Sequence, residues 1–388
     1  MKLKSLEGLR GIAAFIVVIF HFFTNFYPAL VNAYPLQVHT SSGIELKIAV
    51  SPLNVLYNGS FSVNIFFVLS GFVLSYKFFR TGDNQVITSS AIRRYFRLMI
   101  PVLFSVICFY VFYTMKLPGV INNIPDFSFL HAFREGLYAC FFNVQNSYSG
   151  VLWTMHFEFF GSFLVFGFCL IFGKSRNRIW CYILVLALFW DTSYLPFILG
   201  MLISDAKNNL NITINSKIAK IILFFVALFL GSYPNVVGTV PGTIGIDDTI
   251  YFFLHFTDNA ATIVQSLGAA LLLIVLITSV KFTNFLSKSF FQFLGRISFS
   301  MYLTHGLAIT FFSHRFFEHL NVNMAMQYKF SFIITLSVSL IIIFFIAYLT
   351  ERYVDRTAVN FSMFIYKRFF FSDIKSAAIT GPSRTINN

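Results

Sequence analysis

With 388 residues, 57% of them hydrophobic and only 11% charged, this chain has too little polar surface to cover a water-soluble particle of its size; an ordinary soluble domain is about 25% charged. A mean hydropathy of +0.74 and repeated apolar runs near the roughly 20 residues that cross a hydrocarbon core indicate an all-α polytopic membrane protein. This excludes a soluble enzyme, a secreted disulfide scaffold and a disordered chain, and the net charge of +13 is read as membrane topology, with no nucleic-acid partner.

Ten apolar segments follow in chain order, at 11–27, 60–79, 98–115, 149–172, 179–190, 194–204, 217–232, 261–280, 297–312 and 330–349. They predict a bundle of about ten transmembrane helices. The fifth and sixth are short and divided by Asp191–Tyr194, which leaves two crossings or one re-entrant hairpin. The first segment exceeds the apolar core of a cleaved leader, lacks an A-x-A site and contains His21, so it is expected to be a retained helix. With the N-terminus inside, 23 of the 28 Lys and Arg side chains fall on the cytoplasmic side and five outside. That bias places both termini in the cytoplasm and the protein in the plasma membrane, the inner membrane if the cell is bacterial. Residues 1–371 are expected to form the transmembrane domain and 372–388 a short polar cytoplasmic tail. Long outer loops lie at 28–59, 116–148 and 233–260; the last carries Asp247, Asp248 and Asp258 without a Lys or Arg and is read as solvated. Cys108, Cys140, Cys169 and Cys181 show no metal-ligand spacing and are read as packing residues, with no metal site.

Ionisable groups inside the spans are few, and such groups are costly in hydrocarbon unless they face the protein interior and serve a function. In the first span Arg10 and His21 are eleven residues apart, which puts them on one helical face about 16 Å apart along the axis. Arg10 alone reads as an interfacial anchor, His21 as a functional imidazole near mid-membrane. In the second span Gly71 suits a close helix approach and Ser70 a cavity wall. Arg93, Arg94 and Arg97 open the third span. With Arg10 they suit a polyanion at the cytoplasmic mouth, because guanidinium forks bind phosphate bidentately. Glu158 enters about 13 Å into the fourth span, where a carboxylate must be protonated, paired or wet; His156 points elsewhere and reads as structural. His305 lies about 13 Å beyond Arg296 in the ninth span. His21, Glu158 and His305 thus share one slab near the midplane, on three helices whose lateral convergence is not readable from sequence.

These residues resemble the acyltransferase-3 family of integral membrane acyltransferases. The likeness rests on Leu6-Glu7-Gly8-Leu9-Arg10-Gly11 with His21 eleven residues after Arg10, on Phe66-Phe67-Val68-Leu69-Ser70-Gly71-Phe72, and on Arg93-Arg94 with Arg97. It continues through Trp153 with Glu158, Gly295 to His305, and Glu351-Arg352; Glu7 stands where the family more often has Asp. The resemblance implies transfer of an acyl group, often acetyl, from cytoplasmic acyl-CoA as co-substrate to a carbohydrate or glycolipid acceptor at the lipid bilayer, with no permanently bound cofactor. It also implies that Arg10 and His21 are essential. On this reading His21 is the general base, Glu158 or His305 orients it or binds the acceptor hydroxyl, and Arg10, Arg93, Arg94 and Arg97 hold the CoA phosphates. The rival reading is a proton-coupled transporter built on the same intramembrane His and Glu.

Overall fold

Backbone polar groups in hydrocarbon must be satisfied within the chain, and an apolar segment in a bilayer does so by becoming a helix. A computed structural model describes residues 4–117, 120, 123–235 and 243–371, and among them every predicted apolar segment is helical and no strand occurs. Lys2, Lys375, Arg384 and the tail expected at 372–388 lie outside the described residues.

The ten main helices are α1 (Lys4–Phe26), α2 (Gly59–Thr81), α3 (Asn84–Thr114), α4 (Trp153–Ile171) and α5 (Arg178–Phe189), then α6 (Leu195–Asn209), α7 (Lys217–Gly231), α8 (Ala260–Thr278), α9 (Ser289–Ala308) and α10 (Tyr328–Thr350). After α10 the chain continues through a π-helical turn at Glu351–Asp355 into α11 (Arg356–Tyr366). Among the described residues six stretches are long and apolar enough to cross a membrane: Lys4–Phe26, Gly59–Thr81, Asn84–Thr114, Gly150–Ile171, Ala260–Thr278 and Tyr328–Phe369. The remaining apolar segments form shorter or more polar helices. At about 1.5 Å per residue, a helix of the 12 residues in α5 falls well short of the roughly 30 Å hydrocarbon core.

Local signals fix the helix ends. The Asn58 side chain accepts from the Phe61 amide at 3.0 Å to cap α2, and Asp83 accepts from the Gln85 amide at 2.9 Å to cap α3, each satisfying an orphan donor of the first turn. Between them Gly82, at φ +68°, makes the left-handed turn that folds α3 back on α2.

Tight crossings organise the bundle. On α1 a Cβ at Gly8 or Gly11 would collide with backbone of Leu286 or Gly295, and one at Gly295 would strike the Glu7 carbonyl. Backbone thus lies on backbone where α1 crosses α9. The same device joins α2 to α6, with Gly71 against the Phe197 carbonyl and Gly200 against the Val68 carbonyl, so Gly71 serves the close approach its sequence suggested. A Gly295→Ala variant is expected to lower stability by about 1–3 kcal/mol through overpacking. Thermal unfolding in detergent checks this, and an unchanged melting temperature would show that the α1–α9 contact yields freely.

Beyond the glycines, Val18 and Phe22 of α1, Met301 of α9 and Ile343 and Ala347 of α10 are buried in one cluster. This core clamps the half of α1 that carries His21. The cysteines are free, with Cys140 and Cys169 buried. In the loop expected to be solvated, the Asp247 side chain is 80% exposed and pairs with His255 at 2.9 Å.

Candidate active site

A cavity of about 480 Å³ opens among α1, α2, α3, α4 and α9, with Asp355 after α10 at its edge. Its polar lining is cation-rich: Arg10, Lys77, Arg94, Arg97 and Arg296 against Glu7, Glu158 and Asp355. Lys77, Arg97 and Arg296 are exposed, Arg10 is half-buried and Arg94 is buried, so positive charge grades inward from the mouth. Deeper walls are apolar, formed by residues such as Val63, Phe66, Phe67 and Met155. This combination is chemically complementary to an anionic head joined to a less polar arm.

Arg94 and Glu158 form an ion pair in the wall, with side chains 8% and 15% exposed. The Ser70 hydroxyl donates to the same carboxylate oxygen at 2.6 Å. Ser70 and Glu158 thereby join α2 to α4, and Arg94 brings in α3. The Nε atoms of Arg10 and Arg94 are buried and make no hydrogen bond among the described residues. Each guanidinium therefore keeps donor capacity for an entering anion, which matters because an unsatisfied buried donor costs about 1–3 kcal/mol. Arg10 is held in place by donation from Nη2 to the Gly295 carbonyl at 3.3 Å, at the close crossing of α1 and α9.

Farther along α1 and α9 the two intramembrane histidines meet. His305 Nε2 lies 3.3 Å from His21 Nδ1, with ring centroids 4.9 Å apart. Backbone carbonyls settle the tautomers, since a carbonyl only accepts. His305 Nδ1 donates to Met301 O at 3.0 Å, leaving Nε2 of the neutral ring as an acceptor. His21 Nδ1 donates to Val17 O at 2.9 Å and faces that acceptor as well. The neutral His21 ring therefore carries its lone pair on Nε2, the nitrogen available to take a proton. His305 is fully buried and His21 half-buried.

Neither histidine lines the cavity. Tyr302, one turn before His305 on α9, does, and its ring centroid is 6.2 Å from that of His305. Tyr302 donates to Val151 O at 2.9 Å and shares a 2.8 Å hydrogen bond with Thr154, which fixes it between the cavity and the histidine pair.

A family model described as an acyltransferase domain matches residues 3–351. The chain belongs to the acyltransferase-3 family. It is 25% identical to O-acetyltransferase PaAT-1 of Phomopsis amygdali, over 94% of this chain and 84% of that protein. No solved structure matches it. The protein is accordingly an acyltransferase of the non-aminoacyl type, and its apolar helices make it an integral membrane protein.

The structure distributes the sequence-derived residues of this acyltransferase over two places. Arg10, Arg94, Arg97 and Glu158 line one cavity. His21 and His305 touch each other beyond Tyr302. Between the two partners left open for His21, the structure puts His305 at the imidazole and Glu158 at Arg94. Arg93 lies outside the cavity lining, and its Nε donates to Ser89 O at 3.0 Å. His156 lies outside the cavity lining, with its ring nitrogens at 2.7 Å from Phe141 O and 3.3 Å from the Tyr194 hydroxyl. Among the described residues no group of three metal-ligating side chains occurs.

Lys77, Arg296, Tyr302, Thr154 and Asp355 are cavity residues that the sequence reading did not select. Lys77 had a signal, since seven residues after Ser70 is two helical turns on one face. Asp355 had none, because its place depends on how the turn after α10 packs.

Proposed function

We propose that this acyltransferase moves an acyl group, acetyl in the first instance, from cytoplasmic acyl-CoA to a hydroxyl of a cell-surface or lipid-linked carbohydrate, with His21 as general base. The supporting observation is the inward gradient from the cationic mouth to Tyr302, behind which His305 holds His21 in the tautomer with a free Nε2. The reading includes a bundle of about ten membrane-embedded helices, with α5 and α6 as two crossings or one re-entrant hairpin, and both termini in the cytoplasm of a plasma-membrane protein, which sets the cationic mouth at the inner leaflet. That accords with the skewed Lys and Arg distribution.

In this mechanism Arg10, Arg94 and Arg97 bind the phosphates of CoA, helped by Lys77 and Arg296. Arg93 belongs to the surrounding positive field. The thioester arm extends along the apolar wall to Tyr302, whose shift opens the way from the cavity to His21 Nε2. His21 Nε2 takes the acceptor hydroxyl proton as the oxygen attacks the thioester carbonyl. The tetrahedral intermediate collapses with cleavage of the C–S bond, and the departing thiolate recovers the proton from His21. Glu158 does not touch His21; it acts as a positioning residue that fixes Arg94 and Ser70 on the wall.

Purified protein in liposomes, given labelled acetyl-CoA and a panel of glycans, tests the reading directly. Label transferred to a glycan supports it, whereas proton-driven solute uptake without transfer would establish the transport alternative. Arg10→Lys, which keeps the charge and loses the fork, is expected to raise the KM for acyl-CoA about tenfold, the worth of one charge-assisted hydrogen bond. An unchanged KM would remove Arg10 from the phosphate site.

A further inference from the structure

A second pocket, of about 110 Å³, lies at the end of α2 opposite the cationic mouth, with walls that include Ser60, Asn64, Trp153, Ser193, Thr262 and Gln265. Ser60 and Lys77 are both on α2, about 25 Å apart by helical rise, so the two openings belong to opposite ends of the bundle. Every residue lining this pocket is uncharged. The mouth at the other end is dense in charge, so the two sites select different chemistry.

The polar walls of the pocket are fixed in advance. Asn64 donates to the Gln265 side chain at 3.3 Å and accepts from Ser266 at 2.8 Å. Gln265 in turn donates to Tyr233 O at 2.9 Å, and Asn235 donates to the Ser60 hydroxyl at 2.9 Å. Asn64 and Gln265 are both buried, so their amides cannot turn to follow a ligand and instead define where one sits. By contrast, Trp153, Ser193 and Thr262 line the same space, and their indole N–H and hydroxyls make no hydrogen bond among the described residues. Fixed amides, unpaired hydroxyls and an indole bring donors and acceptors together beside an aromatic ring. That is the complement of a neutral ring carrying several hydroxyls, whose C–H face lies on the indole.

The pocket also adjoins the donor cavity. Val63 and Phe67 line both spaces. Trp153 faces the small pocket, while the next two residues of α4, Thr154 and Met155, line the large one. From Asn64 to Ser70 is about 9 Å along α2, close enough for a ring held at one end to present a substituent through the Val63–Phe67 partition.

We infer that this pocket is the acceptor subsite, binding one neutral polyhydroxylated ring of the acceptor from the side opposite acyl-CoA. The assignment rests on the proposed acyl transfer for its purpose, but its binding test does not. Trp153 is one of three tryptophans, and the other two, Trp180 and Trp190, are 69% and 47% exposed. A W180F/W190F protein in nanodiscs therefore reports from Trp153 alone.

Titration with methyl glycosides of common hexoses and 6-deoxyhexoses is expected to give a saturable emission change for at least one neutral glycoside, and none for glucuronate. Thr262→Val and Ser193→Ala, which remove only the unpaired hydroxyls, are expected to weaken that response about tenfold. In the transfer assay they should raise the acceptor KM while leaving the KM for acyl-CoA unchanged. An emission signal indifferent to every glycoside, or an acceptor KM unmoved by both substitutions, overturns the assignment. Saturable binding without any acyl transfer would instead leave the subsite standing and overturn the acyltransfer mechanism.

Discussion

A His21→Ala variant is expected to fold normally and to lose about 10²–10⁴-fold in acyl-transfer rate, the usual worth of a positioned general base. The fold should survive because the imidazole makes one bond to its own helix, to Val17 O at 2.9 Å, and one contact across the bundle, to His305 at 3.3 Å. Alanine is also the best helix former. The core around it, Val18, Phe22 and Met301, is untouched. Single-turnover assays with labelled acetyl-CoA, alongside unfolding curves in the same detergent, separate chemistry from folding. Retained transfer in a folded His21→Ala protein would dismiss the base. His305→Phe keeps ring volume and removes the acceptor nitrogen. It is expected to leave measurable transfer with an altered pH–rate profile, the mark of a residue acting through His21.

Glu158→Ala should have the largest effect on stability. It strands the buried Arg94 guanidinium, whose Nη2 pairs with that carboxylate and whose Nε already lacks a partner among the described residues. Removing one partner of a buried ion pair costs about 3–5 kcal/mol, whereas replacing both by apolar groups of similar volume is often neutral. An Arg94→Met, Glu158→Leu double variant is therefore expected to recover most of the lost stability. Transfer should stay depressed, because the proposed mechanism uses Arg94 to bind the donor phosphates. Thermal unfolding of the single and double variants, with transfer assays on each, tests both halves. A double variant restored in stability and activity alike would make the pair purely structural.

Much of the architecture was legible because a bilayer imposes a simple rule on the chain. Apolar runs must be helical, so all ten segments were recognisable by hydropathy, and the retained polar groups stood out against them. Periodicity also placed Arg10 and His21 on one face of α1. Segment number translated less directly into crossings, since α5, α6 and α7 are 12, 15 and 15 residues long. Their role depends on what packs beside them rather than on their own length. Among the arginines, charge density alone could not tell Arg94, buried against Glu158, from Arg93, turned to its own helix at Ser89. A difference of one residue is a rotation of about 100°, and only the neighbours decide which rotation faces the cavity.

The sequence by itself determined the helical membrane class, the family, and the short set of ionisable residues that lipid would otherwise exclude, because transfer energies act on each residue whatever its partners. Tertiary structure alone decided that His305 rather than Glu158 meets His21, that Glu158 answers Arg94 and Ser70, and that Tyr302 stands between the cation-rich cavity and the histidines. Those outcomes arise from how α1, α2, α3, α4 and α9 cross, and the crossings are set by backbone contact at Gly8, Gly11 and Gly295 on one side and Gly71 and Gly200 on the other. Contacts between residues distant in sequence leave no periodic trace in a single chain.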